Sequence, residues 1–309
     1  MKRFFLIIAI ISLIVGCGQS YEETKRLNQA QRLRMFREDS AALKVAVMPT
    51  LDCLPVFVAK DRQFFDTAVD IRLKQFTAQM DCDTALMRHR VEGSVTDLVR
   101  AERMMKSGVD LKYWTSTNAY WLLISNRQQR INDLKHLDDK MVAMTRFSAT
   151  DLLTDRVIDS VKLDKDRVYK VQINDLSVRL LMLQNNEMDA LWLSEPQATA
   201  ARTMKHGVVY DTQKEDVQLG VLAFNEKEMR HQERGKQLEL FVEAYNQACD
   251  SINKYGVRHY RDLIVKRCKM KANLVDSLPK NIKYVRARGP REQDVALVEK
   301  WLGIKKKEK

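Results

Sequence analysis

From residue 43 onward the chain alternates short apolar, β-branched runs with helix-patterned stretches, and this alternation limits the fold more than any other feature of the sequence. Leu43-Lys44-Val45-Ala46-Val47 predicts a strand, closed by the turn Met48-Pro49-Thr50. A helix is expected from Leu54 to about Phe64, with Pro55 in its first turn, where the missing N–H is harmless. Val69 to Phe76 reads as the next strand, followed by a helix around Asp83 to Arg88, a strand at Gly93 to Thr96 and a helix from Asp97 to Lys106. Leu111 to Thr115 and Tyr120 to Ser125 are two further strand-like stretches, and then the pattern restarts. Met141 to Met144, Tyr169 to Ile173 and Ala190 to Leu193 predict strands; Ala149 to Ser160 and Leu176 to Asn185 predict helices between them. Strand and helix alternating across short connections pack as parallel βαβ layers, so each run is expected to build an α/β lobe. Gln218 to Phe224 predicts one more strand, and from Arg234 onward the pattern is helical. A chain of 309 residues has room for two such lobes.

The N-terminus reads differently. Met1-Lys2-Arg3 precedes Phe4 to Val15, an apolar run broken only by Ser12, and then Gly16-Cys17. Twelve helical residues rise about 18 Å, short of a hydrocarbon core of about 30 Å, so residues 1–16 read as a signal peptide. Ile14-Val15-Gly16-Cys17 resembles the bacterial lipobox, which implies that Cys17 is fatty-acylated and becomes the mature N-terminus; the plain alternative is a secretory signal with a chance cysteine. Residues 17–40 are polar and read as a tether, and residues 301–309 as a basic tail. The 53 Lys and Arg exceed the 41 Asp and Glu, for a formal charge of +12 that suits an anionic ligand or surface; loss of Lys2 and Arg3 leaves +10. With 45% apolar and 30% charged residues, the composition excludes a multi-span membrane protein and a low-complexity chain. Export would place Cys53, Cys82, Cys249 and Cys268 in an oxidising compartment, where disulfides are expected; four cysteines allow three connectivities, and the competing readings are a metal site and buried free thiols. Without a Cys-x-x-Cys or a nearby histidine cluster, no metal site is expected.

Several segments, in order, resemble the solute-binding lipoproteins of ABC importers, in the nitrate, sulfonate and thiamine-precursor branch of the type II periplasmic-binding fold. They are Lys44-Val45-Ala46-Val47-Met48-Pro49, Leu54 to Lys60, the aromatic pair Phe64-Phe65, Val91-Glu92-Gly93-Ser94-Val95-Thr96-Asp97, and Asn186 to Pro196 with its Asp189-Ala190-Leu191-Trp192. The chain departs from the family at Asp61-Arg62-Gln63, where Glu-x-Gly is usual, and matches imperfectly at residues 91–97. The resemblance implies a two-lobed α/β fold with mixed, mostly parallel sheets. The first lobe would be discontinuous, residues 41–114 and 222–300, and the second residues 115–221 including the hinge strands. Trp114 to Thr117 and Leu219 to Val221 would cross between them, with Gly220 letting one crossing flex. This fold favours pairing Cys53 with Cys82 and Cys249 with Cys268. It also implies a monomer that hands a small-molecule ligand to an importer permease, sits at the membrane through its lipid, and uses neither nucleic acid nor a cofactor. The location implied is outside the cytoplasm, in the periplasm of a Gram-negative cell.

Ligands of open α/β sheets sit beyond the carboxyl ends of the strands, against helix N-termini. The loops there nominate Thr50, Asp52, Gln79, Asp81, Thr96 and Asp97 in the first lobe, and Arg146, Phe147, Ser148, Asn174, Asp175, Trp192 and Glu195 in the second. Ser148 is placed to cap the helix from Ala149, and Arg146 offers a forked donor for a carboxylate, sulfonate or phosphate; alternatively Ser148 only caps and Arg146 stays in solvent. So many acids around one cleft argue against a multiply charged anion and for a zwitterion or an amine-bearing ring. Trp192, Phe147, Tyr113, Trp114 and Tyr120 are candidate stacking faces. No Gly-x-Ser-x-Gly, His-Glu-x-x-His or phosphate-cradling loop is present, and His89, His136, His206, His231 and His259 are scattered and expected to face solvent. The chain is therefore read as a binding protein and not an enzyme. The alternatives are an interaction lipoprotein on the same fold and an enzyme like the pyrimidine- and menaquinone-pathway relatives.

Overall fold

The computed structural model describes residues 21–65 and 69–304. The signal peptide, Cys17 and most of the basic tail lie outside the described residues. Residues 1–42 and the body from Leu43 are separate units. In the first, α1 (Tyr21–Ala41) is a regular helix over most of the expected tether, polar around its circumference and carrying an Arg34–Glu38 pair one turn apart at 2.8 Å.

The body is built on two five-stranded sheets. The first has the order β2-β1-β3-β10-β4, with β1 at Leu43–Val47, β2 at Ile71–Gln75, β3 at Gly93–Asp97, β4 at Leu111–Ser116 and β10 at Gly220–Asn225. The second has the order β7-β6-β8-β5-β9, with β5 at Leu122–Ser125, β6 at Lys140–Met144, β7 at Val168–Gln172, β8 at Ala190–Leu193 and β9 at Gly207–Asp211. In each, a central strand pairs in parallel with two neighbours: β1 aligns Leu43 with Ile71 and Val45 with Gly93, and β6 aligns Lys140 with Val168 and Val142 with Ala190. The returning strand is antiparallel to both its neighbours, β10 setting Gly220 against Asp97 and β5 setting Leu122 against Leu193. Each sheet therefore has two parallel and two antiparallel pairings.

The helices that cover the sheets start where their sequences allow. α2 (Leu54–Asp61) carries Pro55 in its first turn, α3 (Gln79–Met87) follows β2, and α4 (Leu98–Lys106) is capped by Asp97, which accepts from Arg100 N. In the second lobe α5 (Ala149–Ser160) is capped by Ser148 and α6 (Leu176–Gln184) by Asp175, while α7 (Gln197–Thr203) follows β8. A four-residue helix, α8 (Glu226–Met229), leads into the long α9 (Gln232–Tyr255), whose Phe241 meets Phe224 edge-on at 5.6 Å. α10 (Arg261–Arg267) and α11 (Glu292–Trp301) complete the chain, Trp301 Nε1 donating to Asp155 on α5. Strands buried on both faces make the cores: all five residues of β1 and all four of β8 are buried.

Two expectations are corrected. The four cysteines are free, buried thiols, so neither pairing is formed. Each is committed elsewhere: Cys53 Sγ accepts from Met48 N at 3.3 Å, Cys249 Sγ donates to Val285 O and Cys268 Sγ to Thr50 O, while Cys82 sits beside Ser94. Burial raises all four thiols, Cys249 to about 12, so they stay protonated and unreactive. Gly220 lies where the two crossings approach closely. A Cβ there would press on Thr117 Oγ1 and lie 2.5 Å from Ala119 Cβ, so only glycine lets the two crossings pass this closely. His206 is buried rather than solvent-facing; its Nδ1 accepts from Arg127 N at 3.2 Å, and burial lowers its pKa.

Candidate functional site

The carboxyl ends of β1 and β3 in the first lobe and of β6, β7 and β8 in the second face one another across a cavity of about 70 Å³, room for a few water molecules or one small solute. Met48, Thr50 and Asp52 come from the β1 loop, Gln79 from the first turn of α3, and Val95, Thr96 and Asp97 from the end of β3. The second lobe supplies Thr145, Ser148 and Thr150 around the start of α5, Asn174, Leu176 and Arg179 around the start of α6, and Ser194 after β8. Ala119 and Trp121, on the crossing between β4 and β5, close one side.

The charged groups divide by lobe. Asp97, 5% exposed, uses a single oxygen, Oδ1, to accept two backbone N–H groups: Arg100 N at 3.0 Å and Ala149 N at 3.1 Å. One carboxylate thus sits at the N-termini of α4 and, across the lobes, of α5. Burial pushes its pKa up to about 7, against the lowering effect of the Arg100 charge and the two N–H donors. The Arg100 guanidinium is held by Asp83, a buried pair to which Thr96 Oγ1 also donates at 3.4 Å. Asp52, on the same lobe, is also raised by burial. Facing them from the second lobe is Arg179, 2% exposed, whose guanidinium is held by neutral acceptors alone: Ile173 O at 2.7 Å, Trp192 O at 2.9 Å and Thr145 Oγ1 at 2.5 Å. Among the described residues it makes no ion pair. Burial lowers its pKa to about 9, and the charge of Asp175 only partly offsets this. A buried cation without a counterion is costly, and here it borders a cavity.

Of the residues nominated from sequence, Thr50, Asp52, Gln79, Thr96, Asp97, Ser148 and Asn174 line the cavity. The others do not. Asp81 is exposed on α3, and Asp175 caps α6 by accepting from Ser177 N and Val178 N. Arg146 is exposed and outside the lining, while Ser148 both caps α5 and borders the cavity. Phe147, at φ +55°, lies under the Arg103 guanidinium of the opposite lobe at 4.0 Å instead of in the cavity. Trp192 is core, its Nε1 donating to Thr154 and its ring edge-on to Tyr210. Glu195 is buried against Arg202 at 2.6 Å and accepts from Thr199 N and Tyr120 Oη. Tyr113 donates to Glu102, so neither tyrosine is a stacking face; Trp121 is the aromatic residue at the cavity. Of the lining residues that sequence reasoning did not nominate, Arg179 is the charged one. Its signal was there: it is the one charged residue in Leu176–Gln184, an otherwise apolar and neutral helix.

The lobes touch directly around the cavity. Leu51 N donates to Glu195 O at 2.8 Å, Gln197 Nε2 to Pro49 O at 3.2 Å, and Ala78 and Asp175 form an isolated antiparallel bridge. Among the described residues no cluster of three or more His, Cys, Asp or Glu is arranged to hold a metal ion, and no helix is long and apolar enough to cross a membrane.

Two sheets joined by two crossings, with a polar cleft at their facing carboxyl edges, define the generic periplasmic binding protein fold, and the chain has that fold. No protein-family model and no curated protein matches the chain. Solved structures do. The zinc-bound ligand-binding component of an ABC-type import system from Staphylococcus aureus is 16% identical with a TM-score of 0.72, the match covering 85% of this chain and 92% of that one. The periplasmic aliphatic sulphonate-binding protein SsuA of Escherichia coli is 15% identical at a TM-score of 0.69, covering 85% and 91%. The periplasmic nitrate-binding protein NrtA of Synechocystis PCC 6803 is 10% identical at 0.66, covering 80% and 73%.

Proposed function

We propose that the chain is a lipid-anchored, extracytoplasmic solute-binding protein that captures a small polar solute between its lobes and delivers it to an ABC importer. The observation that carries this reading is Arg179, a buried guanidinium with no acid partner among the described residues, bordering one cavity with hydroxyls of both lobes and two acids of the first. Such an arrangement is unfavourable when empty and is relieved by an acid group, which is how a recognition site differs from a structural core. The anchor rests on Cys17 and the apolar run before it, and the importer on the neighbours' fold. The protein acts as a monomer and not as an enzyme. A second reading, an interaction lipoprotein without a solute, is favoured by the cavity's small volume and by Asp97 occupying the start of α5. Melting curves with a panel of amino acids, sulfonates, pyrimidines and nitrate separate the two. A ligand of the native state must raise the midpoint as its concentration rises, and a flat panel refutes the solute-binding reading.

A further inference from the structure

The cavity is polarised from one lobe to the other. Its second-lobe wall holds the unpaired Arg179, and its first-lobe wall holds Asp97 and Asp52. Both backbone donors to Asp97 go to Oδ1, and among the described residues no donor reaches Oδ2. This oxygen belongs to a side chain that is 95% buried, on the cavity lining, with its nearest guanidinium, Arg100, already committed to Asp83. A carboxylate in such surroundings is one hydrogen-bond donor and one positive charge short. A plain anion entering to meet Arg179 would face two acids; a solute with an ammonium or other N–H donor at its far end satisfies both walls at once.

We propose, resting on the solute-binding reading above, that Asp97 is the residue that sets specificity and confines the cleft to short zwitterions. The acid group is held by Arg179 and the donor end by Asp97 Oδ2. The rise of the Asp97 pKa to about 7, driven by burial and only partly offset by the Arg100 charge, agrees with a carboxyl that has no ion-pair partner of its own. The 70 Å³ between the walls keeps the solute to a few heavy atoms.

The test uses matched pairs that differ by one amine: glycine against acetate, β-alanine against propionate, and 2-aminoethanesulfonate against ethanesulfonate. Binding to the full-length chain in detergent micelles is measured by calorimetry, for the wild type and Asp97→Asn. Asparagine keeps an oxygen for the two backbone donors and replaces Oδ2 with an N–H group. The expected result is at least a tenfold preference for the zwitterion of one pair in the wild type, erased or reversed in Asp97→Asn. An amine-free partner that binds as tightly as its zwitterion to the wild type overturns the assignment while leaving the solute-binding reading intact, and so does a preference that survives in a folded Asp97→Asn. Absence of binding by every compound, nitrate included, overturns the solute-binding reading and the assignment with it. The wild-type arm decides the matter even if the variant does not fold.

Discussion

Asp97 also gives the ligand-free protein a pH dependence that can be worked from its surroundings. The carboxyl titrates near 3.8 when free and near 7 in the folded chain, because it is taken out of water without an ion-pair partner of its own. Between those values the folded state holds a proton that the unfolded state has lost, so folding becomes less favourable as pH rises through this window and levels off above about 7. Each pH unit corresponds to about 1.4 kcal/mol, so the two units from pH 5 to pH 7 should remove about 2.5 kcal/mol of stability through this group alone. Asp97→Asn keeps an acceptor for Arg100 N and Ala149 N and has nothing to titrate. Urea unfolding of both proteins at pH 5 and pH 8 isolates the effect, since the other groups titrate in both chains and cancel in the difference. The wild type should lose about 2.5 kcal/mol relative to the variant between the two pH values. Parallel profiles, or a wild type that gains relative to the variant as pH rises, would show that the buried carboxyl is compensated by a cation and would refute this account.

Two further outcomes follow from the same geometry. Arg179→Lys keeps the charge but not the fork that reaches Ile173, Trp192 and Thr145, so affinity for any acid-bearing ligand found in the melting panel should fall at least tenfold, about 1.5 to 3 kcal/mol for a charge-assisted contact. Arg146→Ala, outside the lining, should leave that affinity unchanged by the same calorimetry. Gly220→Ala forces a methyl group against Thr117 and Ala119, and overpacking of this kind costs about 1 to 3 kcal/mol. Its melting midpoint should drop by several degrees and recover in part in the double variant with Ala119→Gly; a midpoint equal to that of the wild type would mean that the crossings have slack.

What the sequence made legible was whatever depends on neighbours along the chain. Leu43–Val47, apolar except for Lys44, and the continuous apolar run Ala190–Leu193 are so because both faces of a central parallel strand are covered, and Ser148, Asp97 and Asp175 announce helix starts because a cap satisfies N–H groups only two or three residues ahead. Placing the loops at strand ends was enough to find seven of the lining residues. Direction was the part that could not be read. Arg146 and Ser148 are two residues apart, but the backbone between them turns through the left-handed region at Phe147, so one faces the cavity and the other solvent. Glu195, just before α7, pairs with Arg202 near that helix's end, and the cysteines are free thiols, two of which contact carbonyls of distant segments. β9 was missed because Gly207–Asp211 is short and carries little apolar alternation.

The net positive charge is the instructive case. Read as a total, +12 pointed to an anion, but many of the cations behind it sit in surface pairs such as Arg167 with Asp138 and Arg286 with Asp250, where water screens them and they recognise nothing. At the cleft the balance is close to the reverse: one buried guanidinium faces two acids. Selectivity in such a site is set by the few charges that have lost their water, because only there does an unmatched group carry a penalty large enough to discriminate one solute from another. On the solute-binding proposal, ligand choice in this chain therefore rests on Arg179 and Asp97 far more than on the surface charge that a composition records.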